Sequence, residues 1–276
     1  MSTRTWMITG ASGGFGALMT RKLLERGDTV VAAVRRPQAL DDLLATYGGQ
    51  RLQTVRLDLT DAGSIRAATD AAFAANERID VVVSNAGHGT FGAAEELTDA
   101  QIERVIGVNL LGSIHLIRAA LPHLRAQGGG RVLQVASEGG SIAYPNFSAY
   151  HASKWGIEGF VESVRQEVAP FGIDFTVLEP GPSPTGFGDA LDTAPATPVY
   201  DPTPSGDVRR MLRTGEGFDW SDPALIAEAS IAVADVTPAP VRLALGRGAY
   251  AQIRAALQTR LAELDAQRTI SESVAA

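Results

Sequence analysis

The sequence contains no cysteine. A disulfide framework, a thiolate zinc site, an iron–sulfur cluster and a cysteine nucleophile are therefore excluded. Histidine is scarce: His88, His115, His123 and His151 are the only four, and no two stand four apart as a helical metal pair would. No metal is expected. Basic charge is in deficit, with 24 Lys and Arg against 31 Asp and Glu, so a general attraction to nucleic acid or anionic lipid is not expected. Any anion would have to be bound locally. The first residues show no hydrophobic stretch of the roughly 7–15 residues a signal peptide needs. No run approaches the roughly 18 apolar residues of a membrane span. A cytoplasmic protein is the expectation.

What is present is an ordinary globular composition, 45% hydrophobic over 276 residues, enough for one large α/β domain. Short β-branched or apolar runs at Thr5–Thr9, Thr29–Val34, Arg51–Leu57, Ile79–Ser84, Arg131–Ala136 and Ile173–Leu178 read as strands. A further strand is expected at Val241–Leu245, before an amphipathic helix from Tyr250 to Gln267. The stretches Phe15–Arg26, Ala62–Ala75 and Tyr150–Ala169 are long enough for the crossover helices that parallel strands need. These observations predict a single domain over residues 1–270, a doubly wound parallel sheet of about seven strands with helices on both faces. Residues 271–276 are expected to fray. Pro180, Pro182, Pro184, Pro195, Pro198, Pro202 and Pro204 are seven of the 14 prolines, which argues against a regular element between Pro180 and Pro204. A loop this long is expected to act as a mobile lid over residues 180–220.

The first strand ends in Thr9-Gly10-Ala11-Ser12-Gly13-Gly14-Phe15-Gly16 and a helical run follows at once. Glycines at such a turn let a pyrophosphate approach the backbone and rest on the helix N-terminus. The spacing is not G-x-G-x-x-G, and tight turns use glycine routinely, so context must decide. The match of Gly10, Ser12 and Gly14 to a nucleophile elbow is set aside because only one strand precedes it, and no Gly-Lys-Ser/Thr marks a Walker loop. The second strand ends in Arg35 and Arg36 with no carboxylate. Two guanidinium groups suit a 2′-phosphate and so favour NADP over NAD, unless they are simply solvated.

Tyr150 and Lys154 stand four apart at the start of a helical pattern and so share a face. A nearby ammonium lowers a phenol pKa by favouring the phenolate. With these residues in view the sequence resembles the classical short-chain dehydrogenase/reductase family, whose Rossmann-type fold the resemblance extends over nearly the whole chain. The family's glycine motif matches Thr9, Gly10, Gly14 and Gly16, with Ser12 and Phe15 between. Its adenine-contacting acid matches Asp58, followed by Leu59, and its Asn-Ala-Gly motif is Asn85-Ala86-Gly87. The catalytic tetrad matches Asn109, Ser137, Tyr150 and Lys154. Pro180-Gly181 and Thr185 match the segment beside the nicotinamide.

The resemblance implies that Tyr150 exchanges a proton with the substrate oxygen and Ser137 hydrogen-bonds it. Lys154 would hold the nicotinamide ribose and lower the tyrosine pKa, and Asn109 would hold a water in a proton relay. It implies NADP-linked interconversion of a ketone and a secondary alcohol. The segment from Ser137 through Glu158 is similar to hydroxysteroid dehydrogenase-like members, and candidate substrate contacts are Glu138, Tyr144 and Phe187, with His88, Phe91 and Ser183 nearby. Asp58 could alternatively cap a helix, Ser137 could begin a turn, and His151 is expected to pack rather than react. An NAD-linked alcohol dehydrogenase and a nucleotide-sensing protein on the same fold are the alternatives. Relatives pair through the helices that would hold Asn109–Ala126 and Tyr150–Ala169, so a homodimer or homotetramer is expected.

Overall fold

The computed structural model describes residues 3–49 and 51–275. Its strands are β1 (Thr5–Thr9), β2 (Thr29–Val34), β3 (Leu52–Arg56), β4 (Val81–Ser84), β5 (Thr90–Phe91), β6 (Gly130–Val135), β7 (Ile173–Pro180), β8 (Asp192–Thr193) and β9 (Arg242–Leu245). Its helices are α1 (Gly14–Arg26), α2 (Asp41–Tyr47), α3 (Ala62–Ala74), α4 (Asp99–Ile106), α5 (Ser113–Ala126), α6 (Ser148–Val168), α7 (Pro204–Thr214), α8 (Pro223–Ala232), α9 (Arg247–Ala266) and α10 (Arg268–Ser273). Seven strands form one parallel sheet in the order β3-β2-β1-β4-β6-β7-β9. The expected doubly wound, Rossmann-type sheet is thus present as a single domain.

The strands read as continuous apolar runs because both faces of the sheet are covered. Successive side chains point to opposite sides, so Trp6, Ile8, Val30, Val81 and Val83 pack towards α1 and α8. Met7, Val31, Val82 and Val132 pack towards α3, α5 and α6. Each fully buried large side chain contributes roughly 1.5–3 kcal/mol. β1 and β4 are neighbours, although β2 and β3 lie on the other side of β1. That reversal of strand order opens a crevice beyond their C-terminal ends, where open α/β sheets bind ligands.

Three details add to or differ from the expectations. Helix α4, a π-helical stretch at Gly107–Gly112 and α5 form one continuous helix, Asp99–Ala126, that is long and apolar enough to cross a membrane. Here Leu116, Ile117, Ala120 and Leu124 on it are buried in the core. The end of the chain is helical through Ser273 in α10, with its residues exposed, rather than irregular. The proline-rich stretch contains a two-residue strand, β8, and a 3₁₀ turn at Pro198–Tyr200, and Pro204 opens α7 as its first residue, where a missing N–H costs nothing.

Candidate active site

The turn after β1 passes through Gly10 and Gly14 at φ +67° and +50°, a region that favours glycine. A Cβ on Gly16 would run into the Gly10 carbonyl. Gly13 begins α1 without any capping side chain, and the first turn of α1 carries no acid. Its leading N–H groups and the positive end of its dipole are therefore left for an anion, which fits a dinucleotide pyrophosphate. Ser12 is exposed on this turn and Phe15 half-buried.

Asn85 and Ala86 hold the turn from behind. The Thr9 hydroxyl accepts from the backbone N–H groups of both, at 2.9 and 3.1 Å, and the Asn85 amide donates to the Thr9 carbonyl at 2.9 Å. A Cβ on Gly87 would stand 3.1 Å from Asn109 Oδ1, so glycine there lets the β4 loop approach that side chain.

Arg35 and Arg36 are exposed at the end of β2. Among the described residues neither forms an ion pair. The Asp58 carboxyl is held below its ordinary range chiefly by the Thr60 N–H and hydroxyl, and further by the charges of Arg35 and Arg56. Asp61, not Asp58, caps α3, accepting from the Gly63 N–H at 2.7 Å. The Leu59 side chain is buried against Gly112.

The four tetrad positions come from three separate segments. Ser137 follows β6 and accepts from the Gly139 N–H at 3.1 Å. Tyr150 and Lys154 lie one turn apart near the start of α6. Lys154 Nζ donates to the Val135 carbonyl at 3.1 Å and stands 5.6 Å from the centre of the Tyr150 ring. Asn109 sits in the π-helical stretch, a distortion common at functional sites. Its Oδ1 accepts from the His88 N–H at 3.0 Å, and its Nδ2 donates to the His88 carbonyl at 2.9 Å and to Ser153 Oγ at 3.2 Å. Ser153 in turn donates to the Tyr150 carbonyl at 2.6 Å. The Asn109 amide therefore ties the β4 loop to α6.

Burial dominates the electrostatics. It pushes the Tyr150 phenol up to about 12, with the Ser137 hydroxyl pulling the other way and Glu138 adding to the rise. It lowers Lys154 to about 8, against the pull of Glu158. Burial outweighs the influences that would lower the tyrosine, because a dry phenolate is poorly solvated. At neutral pH Tyr150 is a phenol, able to donate a proton. His151 is lowered to about 4 by burial and stays neutral, packed against Tyr144 and Phe147.

The comparisons with known proteins agree with this geometry. Residues 4–195 match the family model described as short chain dehydrogenase. "Oxidoreductase BOA17" of Botryotinia fuckeliana (strain B05.10) is 36% identical over 245 residues, covering 88% of this chain and 89% of that protein. A short-chain dehydrogenase crystal structure from Streptomyces avermitilis is 36% identical, with a TM-score of 0.91 and 99% of each chain covered. An alcohol dehydrogenase from the archaeon Thermococcus sibiricus, complexed with 5-hydroxy-NADP, is 26% identical with a TM-score of 0.73, covering 89% of this chain and 97% of that one. The chain belongs to the short-chain dehydrogenase family. It is an oxidoreductase of the kind that uses a nicotinamide nucleotide and a small-molecule substrate.

In this dehydrogenase aromatic rings surround Tyr150. Phe187 lies 5.6 Å from Tyr150, Phe147 lies 6.0 Å from it on another side, and Phe91 stacks edge-on to Phe147 at 5.0 Å. Phe187 and Leu191 also crowd Gly89, where a Cβ would collide with both. Phe147 and Leu191 were missed by the sequence reading, since nothing local in their segments links them to the tetrad. Thr185 faces Gly14, 3.7 Å from where a Cβ would stand, so the Pro-rich segment meets the phosphate turn. Ser183 turns back on itself, its hydroxyl donating to the Gly181 carbonyl at 3.2 Å.

The segment expected as a mobile lid carries several bonds to the rest of the domain. β8 pairs with β5, and Asp192 accepts from Gln101 at 2.8 Å and Arg104 at 2.9 Å. Glu96 accepts from the Thr197 N–H at 2.6 Å and pairs with Arg209, and Asn146 donates to the Ser205 carbonyl at 2.8 Å. These bonds join residues 192–209 of it to the segments around β5, α4 and Asn146.

Behind the Ser137 turn lie carboxyls that the family motifs do not include. Glu138 is buried, receives the Tyr144 hydroxyl at 2.8 Å on one oxygen and leaves the other unpartnered, 3.4 Å from where a Gly181 Cβ would be. Burial raises both its pKa and that of Tyr144. Glu158, one turn beyond Lys154, is pushed up to about 7 by burial and by Glu179, while Arg242 holds it down.

Proposed function

We propose that this dehydrogenase is an NADP-dependent reductase of a fairly bulky, apolar ketone, interconverting it with the secondary alcohol. The observation that carries the reading is a buried phenol, protonated at neutral pH, between Ser137 and the Phe187 ring. When bound, the nucleotide supplies or takes up the hydride. The Gly10–Gly16 turn would hold its pyrophosphate, Arg35 and Arg36 its 2′-phosphate, Asp58 the adenine side and Lys154 a ribose. Pro180, Gly181 and Thr185 would border the nicotinamide.

Ser137 orients the carbonyl oxygen by a hydrogen bond, and Tyr150 delivers its proton to that oxygen. Lys154, charged below about pH 8, favours the phenolate left behind. Phe147, Phe187 and Phe91 exclude water and suit an apolar substrate body. The chain acts in the cytoplasm as a homodimer or homotetramer through α5 and α6, where Trp155 of α6 and Leu111 of the π-helical stretch before α5 are exposed.

A panel of ketones of increasing size, assayed with NADPH and with NADH, tests the reading. Turnover is expected with NADPH and bulky ketones, and Phe187→Ala should raise KM for these while sparing small ones. Activity confined to NADH, or to small polar carbonyls, contradicts it.

A further inference from the structure

The inner face of α9 is occupied. Ala249 and Ile253 are buried, Gln252 lies 2.8 Å from the Tyr144 hydroxyl, and Arg260 donates to the Ser141 carbonyl and covers the Trp155 ring at 4.7 Å. A stripe about a quarter turn round the helix from that face is bare. Tyr250, Leu257, Leu261 and Leu264 are 59%, 53%, 59% and 62% exposed. At 3.6 residues per turn they fall within an arc of about 60°, one straight stripe. From Leu261 onward every described residue is exposed, so the last turns of α9, and α10, pack against nothing in their own chain. Unsupported helical turns gain little from propensity alone, and aligned large apolar groups on them mark a contact surface.

The charges beside the stripe identify what covers it. Arg247 and Arg254 lie along one flank in the N-terminal half, and Asp265 lies on the same flank near the C-terminus. A lone helix favours the opposite order, yet α9 has no acid in its first turn and no base in its last. A second copy laid antiparallel sets Arg254 of each helix against Asp265 of the other, twice by symmetry, and opposes the two macrodipoles. The exposed Asp265–Arg268 pair at 3.6 Å is too loose to compete strongly. A membrane surface fits less well. Arg247, Arg254, Arg260 and Arg268 are nearly balanced by Glu263, Asp265 and Glu272, leaving little excess charge for anionic lipid.

We propose that α9 pairs antiparallel with α9 of a second copy of this chain, through Tyr250, Leu257, Leu261 and Leu264. The pairing is additional to any contact through α5 and α6, and it braces the helix whose inner face supports the Ser137 turn.

Sedimentation velocity on the full chain tests this. The Leu257→Ser/Leu261→Ser variant should show half the assembled mass of the parent, with its circular dichroism unchanged because both side chains are exposed. Arg254→Glu and Asp265→Arg should each weaken assembly by about tenfold, since each sets like charges together. Mixing those two variants should restore the parental mass, because both cross-pairs are then opposite in sign. A parental mass in the leucine variant, a monomeric parent, or no recovery on mixing overturns the proposal. So does a monomeric parent that sediments with anionic phospholipid vesicles, which would assign the face to lipid.

Discussion

Lys154 reaches the Val135 carbonyl at 3.1 Å while standing 5.6 Å from the Tyr150 ring centre, so strand β6 pins the ammonium that α6 brings beside the phenol. The position of the lysine is fixed by the sheet as well as by its own helix. Burial lowers its pKa to about 8, which leaves it mostly charged at neutral pH.

The phosphate turn distinguishes glycines by space. Gly16→Ala places a methyl against the Gly10 carbonyl and should abolish nucleotide binding, at a stability cost of about 1–3 kcal/mol from overpacking. Gly13→Ala meets nothing within 4 Å and should fold and bind normally. Thermal melts with and without nucleotide check both; equal tolerance at the two positions contradicts the account of the turn.

Arg35→Ala combined with Arg36→Ala should weaken NADPH by about 10- to 100-fold, the worth of one charge-assisted hydrogen bond of about 1.5–3 kcal/mol, and leave NADH nearly unchanged. Calorimetric titration reads the difference. Parallel losses for the two nucleotides argue against an arginine-held 2′-phosphate.

Glu158 supplies a pH test. Its folded pKa, about 7, lies above the ordinary 4.5, so the fold prefers the neutral acid. Its stabilising contribution is complete below pH 4.5 and is lost as pH rises through 7. Glu158→Gln should lack that loss, so its Tm relative to the parent should climb across this window. A constant offset in Tm would mean that the carboxyl is not strained by burial.

The sheet was legible because parallel strands buried on both faces leave uninterrupted apolar runs; β1 and β2 have the predicted limits, Thr5–Thr9 and Thr29–Val34. The tetrad positions were picked out by the resemblance to the family's motifs; the spacing of Tyr150 and Lys154 alone says only that they share a helix face, as they do in α6. Other parts left no local signal. Helix α8 is apolar on most sides and shows no amphipathic period. β5 and β8 pair two residues each across about a hundred positions of chain, a contact that only the folded chain creates. The π-helical stretch holds Asn109, whose bonds to His88 and Ser153 the spacing of one helix does not reveal. The sequence could not show how deeply the Tyr150 phenol is buried, which is what raises it.

The most direct test is single-turnover ketone reduction by Tyr150→Phe with NADPH bound. The account predicts that the chemical step falls by about 10²- to 10⁴-fold, the range for loss of a general acid, while nucleotide affinity holds. Reduction at the parental rate with nucleotide still bound would show that the proton comes from elsewhere and would contradict the assignment.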